Sequence, residues 1–209
     1  HQKFINKFDE CWIPDNKDSQ FSGSLSKAKI KIEQKYIGVL SRFKRENVNK
    51  HIDVLILISG PEPNRTFFED KLISIFKNSP KTIYFVLGKI EDQQKKWKEN
   101  TITFYNYLLK KELQEIINKS KVVICRSGYS SIMDLLVLHK KVFFIPTKNQ
   151  PEQEYLARYL EDKKNAPFCS LKDFNLNKLV DVEKYKGLSA IETLINPELF
   201  SFFDSKRKL

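Results

Sequence analysis

The feature of this sequence that most constrains its fold is a series of continuous apolar runs separated by segments of helical periodicity. The runs are rich in β-branched and aromatic residues and lie at residues 54–58, 82–87, 101–105, 121–125 and 141–146. Apolar runs of this length without polar alternation predict strands that are buried on both faces. The segments predicted to be helical lie at residues 65–76, 112–119, 130–138 and 152–162. This alternation predicts an α/β fold with a Rossmann-like parallel sheet and helices on both of its faces.

The segments that flank this pattern carry shorter predicted elements. A strand is expected at residues 8–14, where Pro14 ends it, and a second short strand at residues 35–39. Residues 187–203 predict a pair of short helices, broken at the Asn196-Pro197 pair.

Length and cysteine content limit the class of protein. The chain has 209 residues, of which 41% are hydrophobic, so it can bury a sizeable core without disulfides or metals. Cys11, Cys125 and Cys169 are an odd number at wide spacing, which predicts reduced cysteines rather than a disulfide framework or a zinc site. No run approaches the roughly 20 apolar residues of a membrane span, and we expect no signal peptide. Because the sequence opens with His1 and its single methionine is Met133, we expect it to be part of a longer protein.

The net charge indicates an anionic partner but not its class. Lys and Arg number 37 and Asp and Glu 26, which gives a formal charge of +11. Residues 27–50 hold eight Lys or Arg against two Glu, a local surplus of +6. Nucleic acid, a phosphorylated substrate and a membrane surface are all compatible with this surplus. The sequence has no basic recognition helix or RNA-binding signature, so we do not expect a nucleic-acid partner.

Polar residues follow three of the predicted strands. Ser59 and Gly60 end the first strand, Arg126-Ser127-Gly128 ends the fourth, and residues 147–154 follow the fifth. Ligands of open parallel sheets bind at these carboxyl ends, where helix N-termini offer free N–H groups to an anion. Each segment also has a simpler interpretation, as a turn, a solvated helix surface or an ordinary capped helix start.

Two common nucleotide-binding motifs are absent. The sequence contains neither G-x-G-x-x-G nor G-x-x-x-x-G-K-[ST], so dinucleotide-dependent oxidoreductases and Walker-type nucleotide hydrolases lose their main support.

The strand end at Val122 to Gly128, the acidic Asp134 and the later loop with Gln153 resemble one known family. They are similar to the C-terminal, donor-binding domain of the family 28 glycosyltransferases, over roughly residues 36–160. The resemblance implies the C-terminal half of a two-domain GT-B fold and an inverting transfer that uses no metal or other cofactor. It implies a UDP-sugar donor, most simply of the N-acetylglucosamine type, and a lipid-linked or cell-envelope glycan acceptor. The catalytic base is expected in an N-terminal domain outside this sequence.

The resemblance also implies roles for individual residues. Asp134 stands where the family has a Glu that binds the ribose hydroxyls, and Gln153 matches the first of two glutamines that contact the donor sugar. Glu154 replaces the second glutamine. Ser59 and Gly60 match the phosphate loop of the family, and Arg42 matches the arginine of a hinge motif. The segment from Tyr105 to Tyr107 lies where the family's backbone contacts the edge of the uracil. The implied donor site comprises Arg42, Ser59, Gly60, Tyr105, Asn106, Arg126, Ser127, Gly128, Ser130, Asp134, Gln153 and Glu154.

The same resemblance predicts the domain organisation and the partners. Residues 1–30 are expected to be the end of the acceptor domain with a linker, residues 31–185 the donor-binding domain, and residues 186–209 helices that cross back. The expected partners are a nucleotide-sugar donor, the acceptor and the chain's own N-terminal domain, in a cytoplasmic protein that contacts the inner membrane face. Two alternatives stay open, a non-catalytic nucleotide-sugar-binding subunit and a sugar-nucleotide 2-epimerase of similar fold.

Overall fold

The chain forms a large sheet and a small one. The computed structural model describes residues 2–17, 21–27 and 29–189, and all statements about the structure concern these residues. The strands are β1 (Glu10–Ile13), β2 (Glu33–Tyr36), β3 (Ile52–Leu57), β4 (Ile83–Val86), β5 (Lys96–Glu99), β6 (Ile102–Tyr105), β7 (Ser120–Cys125) and β8 (Lys141–Phe144). β1 and β2 pair in parallel as a two-stranded sheet, and the other six form the main sheet.

Helices cover both faces of the main sheet, as predicted. The α-helices are α1 (Gln2–Ile5), α2 (Asn64–Phe76), α3 (Lys110–Lys119), α4 (Tyr129–Val137) and α5 (Pro151–Asp162), and the 3-10 helices are Gly23–Ser26 and Leu176–Lys184. Buried residues of α3, α4 and α5 share one hydrophobic cluster with one face of the sheet. Buried residues of α2 and of the second 3-10 helix share another cluster with the opposite face.

The order of the main sheet creates a crevice at its centre. The strands lie in the order β5-β6-β4-β3-β7-β8, and every neighbouring pair except β5-β6 is parallel. From β3 the chain runs outward through β4 to β6, then returns past β3 to β7 and β8. This reversal between β3 and β7 is a topological switch point, where the connections leave room for a ligand beyond the strands' carboxyl ends. Ile56 pairs with Ile124 in register, so the loops after β3 and β7 lie side by side.

The central strands are buried on both faces, which explains their continuous apolar sequences. Leu55, Ile56, Val123 and Ile124 are all fully buried. Burying one such side chain contributes about 1.5–3 kcal/mol. The centre of the sheet is therefore a rigid base for the loops that follow it.

The structure differs from the sequence prediction at several elements, among them the short helices Gln2–Ile5 and Gly23–Ser26, which were not predicted. β5 was not predicted because its four residues, Lys-Trp-Lys-Glu, are all exposed and give no apolar run. The strand predicted at residues 35–39 lies instead at Glu33–Tyr36, and the 3-10 helix Leu176–Lys184 was also not predicted. The C-terminal helices predicted at residues 187–203 lie outside the described residues from position 190 onward.

The N-terminal segment is tied to the main sheet's helices. Fully buried Asp15 accepts hydrogen bonds from the backbone N–H groups of Phe21 and Ser22, at 3.0 and 2.9 Å, and so folds the loop after β1. The Tyr129 hydroxyl of α4 donates to the Pro14 carbonyl, and the Tyr155 hydroxyl of α5 accepts the Ser24 N–H at 2.6 Å.

None of the helices in the described ranges has the length and apolar character that a membrane span requires.

Candidate functional site

A cavity of about 390 Å³ lies at the switch point, beyond the carboxyl ends of β3, β4 and β7. Its volume falls within the roughly 300–1,000 Å³ range of small-molecule sites. Most of the lining is apolar, and the polar side chains are few: Arg42, Ser59, Tyr107, Ser131 and Asp134. Three residues of the predicted donor site, Arg42, Ser59 and Asp134, are therefore brought together here from positions far apart in the sequence.

Asp134, in the second turn of α4, is the acidic group of this cavity. Its Oδ1 accepts a hydrogen bond from the Ser41 hydroxyl at 2.6 Å, and its Oδ2 lies 4.0 Å from Arg42 Nε. Partial burial raises the pKa of Asp134, while the Ser41 hydrogen bond, the Arg42 charge and the Arg42 backbone N–H act to lower it. The carboxylate is thus fixed by the segment that joins β2 to β3 while it faces the cavity.

Arg42 is exposed at the rim of the cavity. Its guanidinium carbon lies 4.8 Å from the centroid of the buried Phe43 ring. This cation–π contact orients the side chain beside Asp134. Ser41 and Arg42 therefore bring a hydroxyl and a cation to the same carboxylate.

The loop after β3 is open but already carries a carboxylate. Ser59 and Gly60 are exposed, Gly60 has φ +109°, and an added Cβ there would meet no atom within 4 Å. At the start of α2, Glu62 accepts the Thr66 N–H at 3.1 Å and pairs with Arg65, and the Thr66 hydrogen bonds lower the pKa of Glu62. A phosphate at this loop would approach that negative charge.

The loop after β7 leads to a second helix start, which lacks a side-chain cap. Gly128 is the N-cap of α4 with φ −77°, and a Cβ added there would also meet no atom within 4 Å. Ser130 is exposed in the first turn. The fully buried Ser127 uses its hydroxyl to donate to the Gln153 carbonyl at 2.7 Å. Among the described residues no side chain caps the N–H groups at the start of α4, whereas the Ser127 hydroxyl is occupied within the protein.

Arg126 has a side chain engaged in the scaffold. Its Nη1 donates to the carbonyls of Ile145 and Pro146, both at 3.0 Å, and its guanidinium carbon lies 3.7 Å from the centroid of the Phe68 ring. Burial lowers the pKa of Arg126 to about 10. The side chain joins the ends of β7 and β8 to α2, so a donor contact by this residue would involve its backbone.

Gln153 and Glu154 organise the loop before α5. Gln153 Oε1 accepts the Thr147 N–H at 2.9 Å, and Glu154 Oε1 accepts the Asn149 N–H at 2.9 Å. Gln150 caps the helix by accepting the Gln153 N–H at 2.6 Å. These contacts shape the loop, and within the described part of the chain no hydrogen bond engages Gln153 Nε2, the donor end of that amide.

Tyr105 and Asn106 lie away from the cavity. The Tyr105 ring packs 6.0 Å from the Tyr84 ring in a separate groove beside α3. Asn106 is buried, and its Oδ1 accepts the N–H groups of Lys95 and Tyr107 at 2.7 and 2.9 Å. The aromatic side chain that this segment places in the cavity is Tyr107.

Two cavity features had no signal in the sequence. Ser41 adjoins Arg42, but nothing in its sequence context marks it as the partner of a side chain 93 positions away. The buried thiol of Cys125, whose pKa burial raises to about 12, lines the cavity floor as the last residue of a strand. Across residues 2–17, 21–27 and 29–189, no group of three or more His, Cys, Asp or Glu side chains is arranged to hold a metal ion.

Comparison with curated proteins shows similarity to N-acetylglucosamine transferases. A protein of Sulfurihydrogenibium sp. (strain YO3AOP1), named UDP-N-acetylglucosamine--N-acetylmuramyl-(pentapeptide) pyrophosphoryl-undecaprenol N-acetylglucosamine transferase, is 25% identical over 159 residues, which are 74% of this chain and 44% of the relative. A protein of the same name from Mannheimia succiniciproducens is 34% identical over 62 residues, which are 29% of this chain and 18% of the relative. The chain thus spans less than half the length of these curated relatives.

Solved glycosyltransferases share the fold. The spinosyn forosaminyltransferase SpnP covers 96% of this chain, with a TM-score of 0.58 at 13% identity, and the match takes in 54% of that enzyme. Acinetobacter baumannii MurG covers 75% of this chain and matches over 50% of its own, with a TM-score of 0.50 at 15% identity. These neighbours are GT-B glycosyltransferases, which confirms the predicted fold class.

The family itself is shown by sequence. The sequence model of the glycosyltransferase family 28 C-terminal domain matches residues 73–189, more than half of the chain. The matched segment contains the loop after β7, Asp134 and the start of α5. This chain therefore belongs to glycosyltransferase family 28 and carries the family's C-terminal domain.

Proposed function

We propose that this chain is the donor-binding part of an inverting, metal- and cofactor-independent glycosyltransferase that uses a UDP-sugar. The observation that carries this proposal is the cavity at the switch point, where an apolar lining surrounds the Asp134 carboxylate. Apolar walls suit a nucleobase, and a carboxylate suits the two hydroxyls of a ribose.

The open helix start at Gly128 supports a place for the diphosphate. Its free N–H groups and the positive end of the α4 dipole would stabilise the negative charge that develops on the leaving group. The loop at Gly60 is a second candidate, although Glu62 makes it less favourable for an anion. The donor sugar would then lie near Gln153, whose Nε2 can donate to a sugar hydroxyl.

The names of the curated relatives support a narrower donor and acceptor. Both are N-acetylglucosamine transferases acting on an undecaprenol-linked acceptor. We propose an N-acetylglucosamine-type donor and a lipid-linked or cell-envelope acceptor for the whole protein. The general base that deprotonates the acceptor would come from the N-terminal domain.

The proposed domain division follows the same reasoning. Residues 1–30 would be the end of the acceptor domain with its linker, residues 31–185 the donor-binding domain, and residues 186–209 the segment that returns to the first domain. In this organisation the protein works in the cytoplasm at the inner membrane face, with no nucleic-acid partner.

Calorimetric titration with UDP, GDP and TDP tests the proposal. We expect UDP to bind most tightly, and Asp134→Ala to weaken UDP binding about tenfold or more, because it removes a charged hydrogen-bond acceptor. Asp70→Ala is the matched control, since this exposed carboxylate of α2 lies outside the cavity and should leave the affinity unchanged. Failure of the chain to bind any of the nucleotides would refute the donor site.

A further inference from the structure

We infer that Ser41 is a positioning residue for the donor, because its hydroxyl fixes the Asp134 carboxylate, which lines the cavity. This inference rests on the proposed function, and it adds a residue that the family resemblance does not include.

The geometry around Ser41 fixes the direction of its hydroxyl proton. Ser41 Oγ accepts the Phe43 N–H at 3.0 Å and lies 2.6 Å from Asp134 Oδ1. A carboxylate can only accept, so the Ser41 proton points to Oδ1. The same hydroxyl thus joins a backbone turn to the carboxylate, and Asp134 cannot rotate without breaking that link.

The position of this link matters because Ser41 lies in the segment that joins the two sheets. Residues 37–51 connect β2 to β3, and Arg42 and Phe43 of this segment line the cavity. A purely structural role for the link, as an anchor of the segment, is the competing explanation. The two explanations differ in whether UDP affinity follows the ionisation of Asp134.

The surroundings of Asp134 make its ionisation sensitive to one hydrogen bond. Its burial favours the neutral form, and the Ser41 hydroxyl and Arg42 counter that tendency. The other titratable side chains that line the cavity are Tyr107 and Cys125, and among the described residues of the lining Arg42 is the one cation beside Asp134. Loss of the Ser41 hydrogen bond should therefore raise the pKa of Asp134. If the donor binds only the ionised carboxylate, then as the pH is lowered the variant should lose the donor at a higher pH than the wild type does.

The test compares Ser41→Ala with Ser41→Thr, which keeps a hydroxyl. Carbon-detected NMR of the Asp134 carboxyl is recorded over pH in the full chain without nucleotide, and UDP affinity is measured over the same range. For Ser41→Ala we expect the Asp134 titration to move up by about one pH unit. UDP affinity should then fall about threefold at a pH halfway between the two midpoints and approach a tenfold loss below both of them. Ser41→Thr should restore both.

The two readouts separate this inference from the proposed function. An Asp134 titration that is identical in wild type and Ser41→Ala overturns the positioning role, whether or not UDP binds. A shifted titration with unchanged UDP affinity over the whole pH range also overturns it, since the link would then be only an anchor. Absence of UDP binding in the wild type refutes the proposed function and, with it, the donor role of Ser41.

Discussion

Replacing Arg126 distinguishes a scaffold role from direct donor binding. The buried guanidinium donates two hydrogen bonds to the carbonyls of Ile145 and Pro146, directly after β8, and it packs on the face of Phe68. A hydrogen bond from a charged group contributes about 1.5–3 kcal/mol, and a partly buried cation–π contact about 0.5–2 kcal/mol. Part of this sum is offset because the substitution also removes the cost of burying a charge.

We therefore expect Arg126→Ala to lower the free energy of unfolding by about 3–4 kcal/mol, measured by urea denaturation followed by circular dichroism. Arg126→Met keeps most of the packing volume and relieves the buried charge, so it should lose about 1–2 kcal/mol. Arg158→Ala removes an exposed arginine of α5 and should change stability by less than about 0.5 kcal/mol.

The outcome that would refute this reasoning is an Arg126→Ala protein as stable as the wild type. If such a protein had also lost UDP affinity, the side chain would serve the donor directly. If stability falls as expected while the folded fraction of Arg126→Met binds UDP normally, the scaffold role stands.

Three further predictions concern other buried or crowded groups. Burial lowers the pKa of Lys140 to about 7 from 10.5, so between these pH values Lys140 is protonated in the unfolded chain but not in the folded protein. The free energy of unfolding should therefore rise from pH 7 to 10.5 in the wild type. Urea titrations at several pH values should show a smaller rise in Lys140→Met. Gly23→Ala places a Cβ against the Tyr155 hydroxyl at φ +57° and should lower the free energy of unfolding by about 1–3 kcal/mol. A Cβ at Gly128 meets open space, so Gly128→Ala should change that free energy by less than about 0.5 kcal/mol while it weakens UDP binding. Equal losses of stability in the two variants would contradict this prediction. Cys125 should react slowly with a thiol reagent at pH 8 in the folded protein, because its side chain is 2% exposed and burial raises its pKa to about 12. If Cys125 were labelled as fast in the folded protein as in urea, the description of the cavity floor would be wrong.

The sheet could be predicted because its central strands, which are buried on both faces, have continuous apolar sequences. Each predicted run from residue 54 onward corresponds to a strand of the main sheet. β5 was not predicted because its residues, Lys, Trp, Lys and Glu, give no apolar run. This edge strand is stabilised by pairing with β6, and its own sequence does not indicate that partner. The 3-10 helix Leu176–Lys184 likewise depends on the sheet face against which it packs.

The candidate site was predicted only in part. Arg42, Ser59 and Asp134, to which the resemblance assigned donor contacts, line one cavity, and those contacts stay a prediction. Arg126, Ser127 and Asn106 carry polar side chains at predicted strand ends, yet each of these side chains already donates to backbone carbonyls of the protein. A sequence shows which residues can form hydrogen bonds but not which partners the fold has already supplied.

The sequence by itself determined the class of fold, the sheet's central strands and the loops where a ligand can bind. Those features follow from short-range periodicity and from the rule that parallel strands present their carboxyl ends on one edge. Only the tertiary structure decided which of the polar groups at that edge stay free. The link from Ser41 to Asp134 spans 93 positions and exists because the segment between the two sheets contacts α4. Contacts of that kind arise from packing geometry, which no local pattern encodes.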